Sequence, residues 1–123
     1  MQQNGTRVLV AEDEALVSML IEEELSEAGF RVVGPFRTCA GASAWLERNT
    51  PDIATIDYQL ADGPCTDLAA ELRRRGVPFV LLTGLPPEDM PEPFRGAPMF
   101  QKPSSLDKLS ETLAGLLPGR GSV

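Results

Sequence analysis

The chain has 123 residues, with 11 Lys and Arg against 18 Asp and Glu, a formal net charge of −7, and no histidine. A length near the commonest domain size buries about two-thirds of the unfolded surface, so one α/β-sized domain with its own core is expected without staples. The acidic balance argues against direct nucleic-acid binding, and the longest apolar runs, such as residues 77–82, fall far below the roughly 18 residues that would span a membrane. Cys39 and Cys65 stand 26 positions apart with no histidine near them, which excludes a Cys/His zinc site. They are expected as free thiols in a cytoplasmic protein, a disulfide being open only to an oxidising compartment, for which nothing in the sequence argues.

Short apolar runs alternate with helical patterns, the signature of repeated βα units around a parallel sheet. Residues 7–11 (RVLVA) form the first expected strand. Val17, Leu20, Ile21, Leu25 and Ala28 then recur at helical spacing, with Glu22, Glu23, Glu24 and Glu27 on the wet side and Gly29 as the stop. Residues 31–36 read as the second strand and residues 39–48, around Trp45, as the second helix. Residues 53–57 (IATID) are the third strand, Asp62, Gly63 and Pro64 a turn, and Leu68, Ala69 and Leu72 one face of a third helix ended by Gly76 and Pro78. Arg73, Arg74 and Arg75 are expected to solvate the end of that helix.

Residues 79–83 (FVLLT) are fully apolar up to Thr83, as a central parallel strand should be. Residues 85–98 hold five of the eleven prolines, so a fourth helix should be short or absent. A brief fifth strand at 99–101 precedes a final amphipathic helix carrying Leu106, Leu109, Leu113, Leu116 and Leu117, N-capped by Ser104 or Ser105. The expectation is a single domain with its core at about residues 7–117 and frayed ends.

Ligands of open parallel sheets collect at the carboxyl ends of the strands. There the sequence puts Glu12 and Asp13 after the first strand, Asp57 at the end of the third, Thr83 and Gly84 at the fourth, and Lys102 with Pro103 after the fifth. Three carboxylates without histidine or thiolate suit a hard, oxygen-seeking cation, Mg²⁺ above all. Phosphoryl transfer needs positioning and positive charge more than covalent help, and Asp57 could itself be the nucleophile, forming an acyl phosphate. Thr83 could donate a hydrogen bond to the phosphoryl group. Taken singly, Glu12 and Asp13 could be helix-capping acids, Asp57 a strand-end turn residue and Lys102 a surface cation; it is their combination that points to chemistry.

With those residues in place the chain resembles the receiver domains of two-component response regulators, from Arg7 to about Leu117. Glu12 and Asp13 match the family's acidic pair, Asp57 its phospho-accepting aspartate, Thr83 its switch hydroxyl, and Lys102–Pro103 its Lys-Pro with a cis peptide bond. The resemblance implies a flavodoxin-like (βα)5 fold, doubly wound, with a five-stranded parallel sheet of order 2-1-3-4-5 and a short or degenerate fourth helix. It also implies Mg²⁺ held by Glu12, Asp13, Asp57 and the backbone carbonyl of Gln59. The stretches RVLVAEDE, GVPFVLLTG and FRGAPMFQKP are similar to the branch called FATGUY receivers, found beside histidine kinases of the HWE and related types. The name motif is partly kept, as Leu81, Leu82, Thr83, Gly84, Leu85 and Pro86. Met99 stands where receivers place an aromatic residue three positions before the lysine, and Phe100 has the opposite strand parity.

The implied function is that of a signalling phosphoacceptor, which catalyses only its own phosphorylation and dephosphorylation. Without histidine the chain cannot supply its own phosphohistidine donor, so the partner is a histidine kinase, with an unnamed downstream protein reached by protein–protein contact. A monomer or weak dimer is expected. Alternatives are a docking module that keeps the fold without phosphorylation, a receiver piece of a hybrid histidine kinase, and a phosphatase of the aspartate-nucleophile type. The last wants a second Asp two positions after the nucleophile, where Gln59 stands. Nucleotide binding has no support, since neither GxGxxG nor GxxxxGK[ST] occurs.

Overall fold

In the computed structural model, which describes residues 5–83, 90–101 and 108–117, three strands are apolar on both faces and therefore lie in the middle of the sheet. These are β1 (Arg7–Ala11), β3 (Ile53–Asp57) and β6 (Phe79–Thr83). With β2 (Arg31–Phe36) and β7 (Met99–Gln101) they form one parallel sheet of order β2-β1-β3-β6-β7. This is the order 2-1-3-4-5 of a flavodoxin-like fold. The reversal of direction at β1 and β3 opens a crevice at their carboxyl ends.

Strand alternation divides the core into two layers. Leu9, Ala54, Ile56, Phe79 and Leu81 face α2 (Cys39–Leu46) and α3 (Thr66–Arg74), whereas Val8, Val10, Ile53, Val80 and Leu82 face α1 (Ala15–Glu27) and α4 (Leu109–Leu116). Thr55 shares the parity of Ile53 and lies in register between Val10 and Val80. It is buried, and its Oγ1 meets no hydrogen-bond partner among the described residues.

The α1 stripe is rotated from the expected one. Val17, Ser18, Ile21 and Leu25 are buried, while Leu20 is 44% exposed beside Leu16 and Met19 at 69% and 63%. Ser18 is tolerated in the stripe because its hydroxyl donates to the Ala15 carbonyl at 2.9 Å. Glu24 is half-buried and accepts from Ser110 Oγ at 2.6 Å, tying α1 to α4, while Glu22, Glu23 and Glu27 face outward as expected. Helix α2 is two residues shorter than expected and is capped by Thr38, whose side chain accepts from the Gly41 N–H at 3.0 Å.

The Asp62–Gly63–Pro64 turn belongs to a small antiparallel hairpin of β4 (Gln59–Leu60) and β5 (Gly63–Pro64). In the proline-rich connection the described part holds a single 3-10 turn, Glu92–Phe94. Arg73 fastens it to α3, its guanidinium donating to the carbonyls of Pro93 and Arg95. Arg74 and Arg75 pair with Glu71, so the arginine run is bonded rather than merely solvated.

Cys39 and Cys65 are not free thiols. They are joined in a disulfide, with their Cα atoms 5.6 Å apart. Sequence separation hid this proximity: Cys39 opens α2 and Cys65 immediately precedes α3, so both sit beside the sheet's carboxyl edge on the same face.

Candidate functional site

The site begins with an irregularity in the edge strand. Gly34 has φ +110°, and a Cβ there would come within 2.8 Å of the Phe36 nitrogen and the Val10 carbonyl. Only glycine fits without displacing backbone. The β1–β2 register shifts at this point, Gly34–Pro35 is a cis peptide, and the Phe36 carbonyl accepts from the Glu12 N–H at 2.9 Å. The bulge thereby holds the chain as it leaves β1 with the acidic residues at the crevice.

Glu12, Asp13, Glu14 and Asp57 each bring one carboxylate oxygen to within 4.8 Å of the others. Glu12 and Asp57 are buried, Asp13 is half-buried and Glu14 is exposed. Glu12 Oε2 accepts from the Glu14 N–H at 3.0 Å, and Asp57 Oδ1 accepts from the Gln59 N–H at 3.3 Å. Carboxylates gathered this closely repel one another, and a divalent cation with oxygen ligands is the natural counter-charge. Glu14 was not singled out from the sequence. It occupies the N-cap position of α1 without making a side-chain cap.

Asp57 pairs with Leu82 across the β3–β6 ladder, and Thr83 follows one position further. The ladder continues past Asp57 through the Tyr58 N–H, which donates to the Leu82 carbonyl at 3.2 Å. Thr83 is buried at the same end of the sheet. Gln59 starts the hairpin, with an exposed side chain. Lys102, Pro103, Gly84 and Leu85 lie outside the described residues, as do Ser104 and Ser105. Met99 is half-buried in the layer of α2 and α3, while Phe100 faces the opposite layer.

The hairpin is tied down on its far side. Asp62 accepts from the N–H groups of Cys39 at 2.7 Å and Ala40 at 3.1 Å, and these two bonds, the Cys39 one foremost, hold its carboxyl below the ordinary range. Tyr58, next to Asp57, meets Phe94 edge-on at 5.2 Å, and Phe94 meets Phe79 in the same way at 6.4 Å. Sequence reading missed this aromatic chain, because Tyr58 and Phe94 are 36 positions apart.

The sequence pattern of the response regulator receiver domain matches residues 8–114. The chain belongs to that family. This receiver is 35% identical over 107 residues to the transcriptional regulatory protein PdtaR of Mycobacterium tuberculosis, with 84% of the chain and 52% of PdtaR covered. It therefore spans about half the length of that relative. Among solved structures it is similar to SdrG from Sphingomonas melonis Fr1, at 36% identity and a TM-score of 0.77, covering 91% of this chain and 96% of SdrG. SdrG has also been solved in a BeF3-activated conformation, which the receiver matches with a TM-score of 0.74. The receiver domain of PhyR from Erythrobacter litoralis is similar at 28% identity and a TM-score of 0.77, with 92% and 90% of the two chains covered. No helix among the described residues is long and apolar enough to cross a membrane.

Proposed function

We propose that this receiver accepts a phosphoryl group on Asp57 from the phosphohistidine of a partner histidine kinase, and passes the change on by protein–protein contact. The observation that carries the reading is the convergence of the Glu12, Asp13, Glu14 and Asp57 oxygens at the carboxyl edge of a receiver-family sheet. In the proposed step an Asp57 oxygen attacks phosphorus, the P–N bond to the donor breaks as the P–O bond forms, and the imidazole leaves with its electron pair. Glu12, Asp13, Asp57 and the Gln59 carbonyl would hold Mg²⁺, which would supply positive charge to the phosphoryl oxygens. Thr83 donates a hydrogen bond to the transferred group, and Lys102 contributes its ammonium charge. The Gln59 N–H holds the Asp57 carboxylate in orientation.

The stretches RVLVAEDE, GVPFVLLTG and FRGAPMFQKP support a place in the FATGUY branch and a kinase of the HWE type. Leu16, Met19 and Leu20 support a docking face on α1, because they expose apolar surface starting two residues beyond the acidic group.

Intact mass after incubation with Mg²⁺ and a small acyl phosphate tests the reading. One Mg²⁺-dependent phosphoryl adduct that maps to Asp57 and is lost in Asp57→Ala is expected. No adduct from that donor or from a phosphorylated kinase would overturn the reading in favour of a docking module.

A further inference from the structure

We propose that the Cys39–Cys65 pair is a thiol–disulfide modification site whose oxidation state sets how tightly the acidic pocket holds a divalent cation. The inference rests on the functional reading above in taking that pocket as a Mg²⁺ site. Its basis is the route between disulfide and pocket. The loop between Asp57 and Cys65 carries the β4–β5 hairpin, and both of its ends are fastened: the Gln59 N–H donates to Asp57 Oδ1 at one, and the Cys65 N–H donates to the Tyr58 carbonyl at 2.9 Å at the other. Its tip is held against the start of α2 by Asp62 and by the Ala61 N–H, which donates to the Arg37 carbonyl at 3.2 Å. The disulfide cross-links the same two bodies covalently, so it limits how far the hairpin, and Gln59 with it, can move from Asp57.

The surroundings accommodate the reduced pair as well. Cys39 Sγ lies 3.5 Å from the Gly63 carbonyl, so a Cys39 thiol finds an acceptor where it stands. Cys65 is 1% exposed and Cys39 only half-buried, which directs exchange to the Cys39 sulfur. A small-molecule thiolate attacks Cys39 Sγ, the S–S bond breaks, and Cys65 leaves as thiolate and takes a proton. A second thiol molecule then displaces Cys39 from the mixed disulfide, giving two protein thiols and one small-molecule disulfide. Oxidation by a small-molecule disulfide is the reverse. Reduction removes the covalent link and leaves the hairpin held to α2 by hydrogen bonds only, those of Asp62, Ala61 and the Cys39 thiol, so the carboxylate's orienting partner is less fixed and cation binding loses preorganisation.

The test compares the full chain in excess oxidised and in excess reduced dithiothreitol, with the thiol count read by alkylation and intact mass. Mg²⁺ is titrated in both states by calorimetry and by the amide resonances of Glu14 and Gln59. Reduction should weaken Mg²⁺ binding by about three- to tenfold and speed amide exchange at Gln59 and Ala61. Cys39→Ser should match the reduced protein in either buffer. Equal Mg²⁺ affinity in the two states overturns the inference and leaves the functional reading standing; no Mg²⁺ binding in either state overturns both. A pair that never changes state, or a reduction that collapses amide dispersion across the sheet, overturns it too.

Discussion

Asp57→Asn isolates the charge of the central carboxylate. Asparagine keeps the volume and the Oδ1 acceptor that the Gln59 N–H uses, so the hydrogen bond at 3.3 Å survives. What changes is repulsion. Two unit charges 4.8 Å apart, the outer limit of the cluster, repel by about 3.5 kcal/mol at an effective dielectric of about 20. Other contacts of Asp57 and relaxation of the exposed Glu14 reduce this, leaving an expected stabilisation of about 1–3 kcal/mol in the metal-free protein. For a chain of this length each kcal/mol is about 4 °C in Tm, so the variant should melt about 4–12 °C higher in excess chelator. Saturating Mg²⁺ should raise the wild-type Tm and move the variant much less, closing the gap. Thermal unfolding with chelator and with Mg²⁺ checks both. A variant less stable than wild type in chelator, or an equal Mg²⁺ shift in both proteins, would refute the electrostatic account of the pocket.

Thr55→Val should stabilise the protein by about 1 kcal/mol, because a buried hydroxyl that meets no partner among the described residues is replaced by a methyl between Val10 and Val80. A lower urea midpoint would show that the hydroxyl is used. Glu71 is held at about 2, well below its ordinary 4.5, by hydrogen bonds from Arg74 and then Arg75. Because the folded value is the lower one, its contribution is complete above pH 4.5 and is lost as pH falls through about 2. Glu71→Gln should flatten the acid limb of the stability profile in that window, and added salt should shrink the difference, since the pair is solvent-screened.

Strands were legible where apolar character ran unbroken: residues 7–11, 53–57 and 79–83 are strands with the expected ends. The convergence of Glu12, Asp13 and Asp57 was legible because Glu12 and Asp13 follow such a strand and Asp57 ends one, and parallel strands deliver their ends to one edge. The harder features depend on approach in space. Cys39 and Cys65 meet because two helices start side by side, and Tyr58 meets Phe94 across 36 positions. Leu20 fits the periodic pattern of α1 yet faces outward, because the stripe that meets the sheet is centred on Val17, Ile21 and Leu25. The hairpin after Asp57 has strands of two residues each, too short for any alternation to register.

The Gly34–Pro35 irregularity also bears on how copies of this chain can meet. An edge strand with a regular row of N–H and C=O groups is a template for another strand, and sheets extend through such edges into aggregates. In β2 the proline carries no N–H and the bulge breaks the row beside it, while Gly34 and Pro35 are exposed. The residues that present the acidic pocket on one side thus blunt the sheet on the other. Strand-to-strand growth is discouraged at β2, and the apolar stripe of Leu16, Met19 and Leu20 on α1 offers a different ground for association.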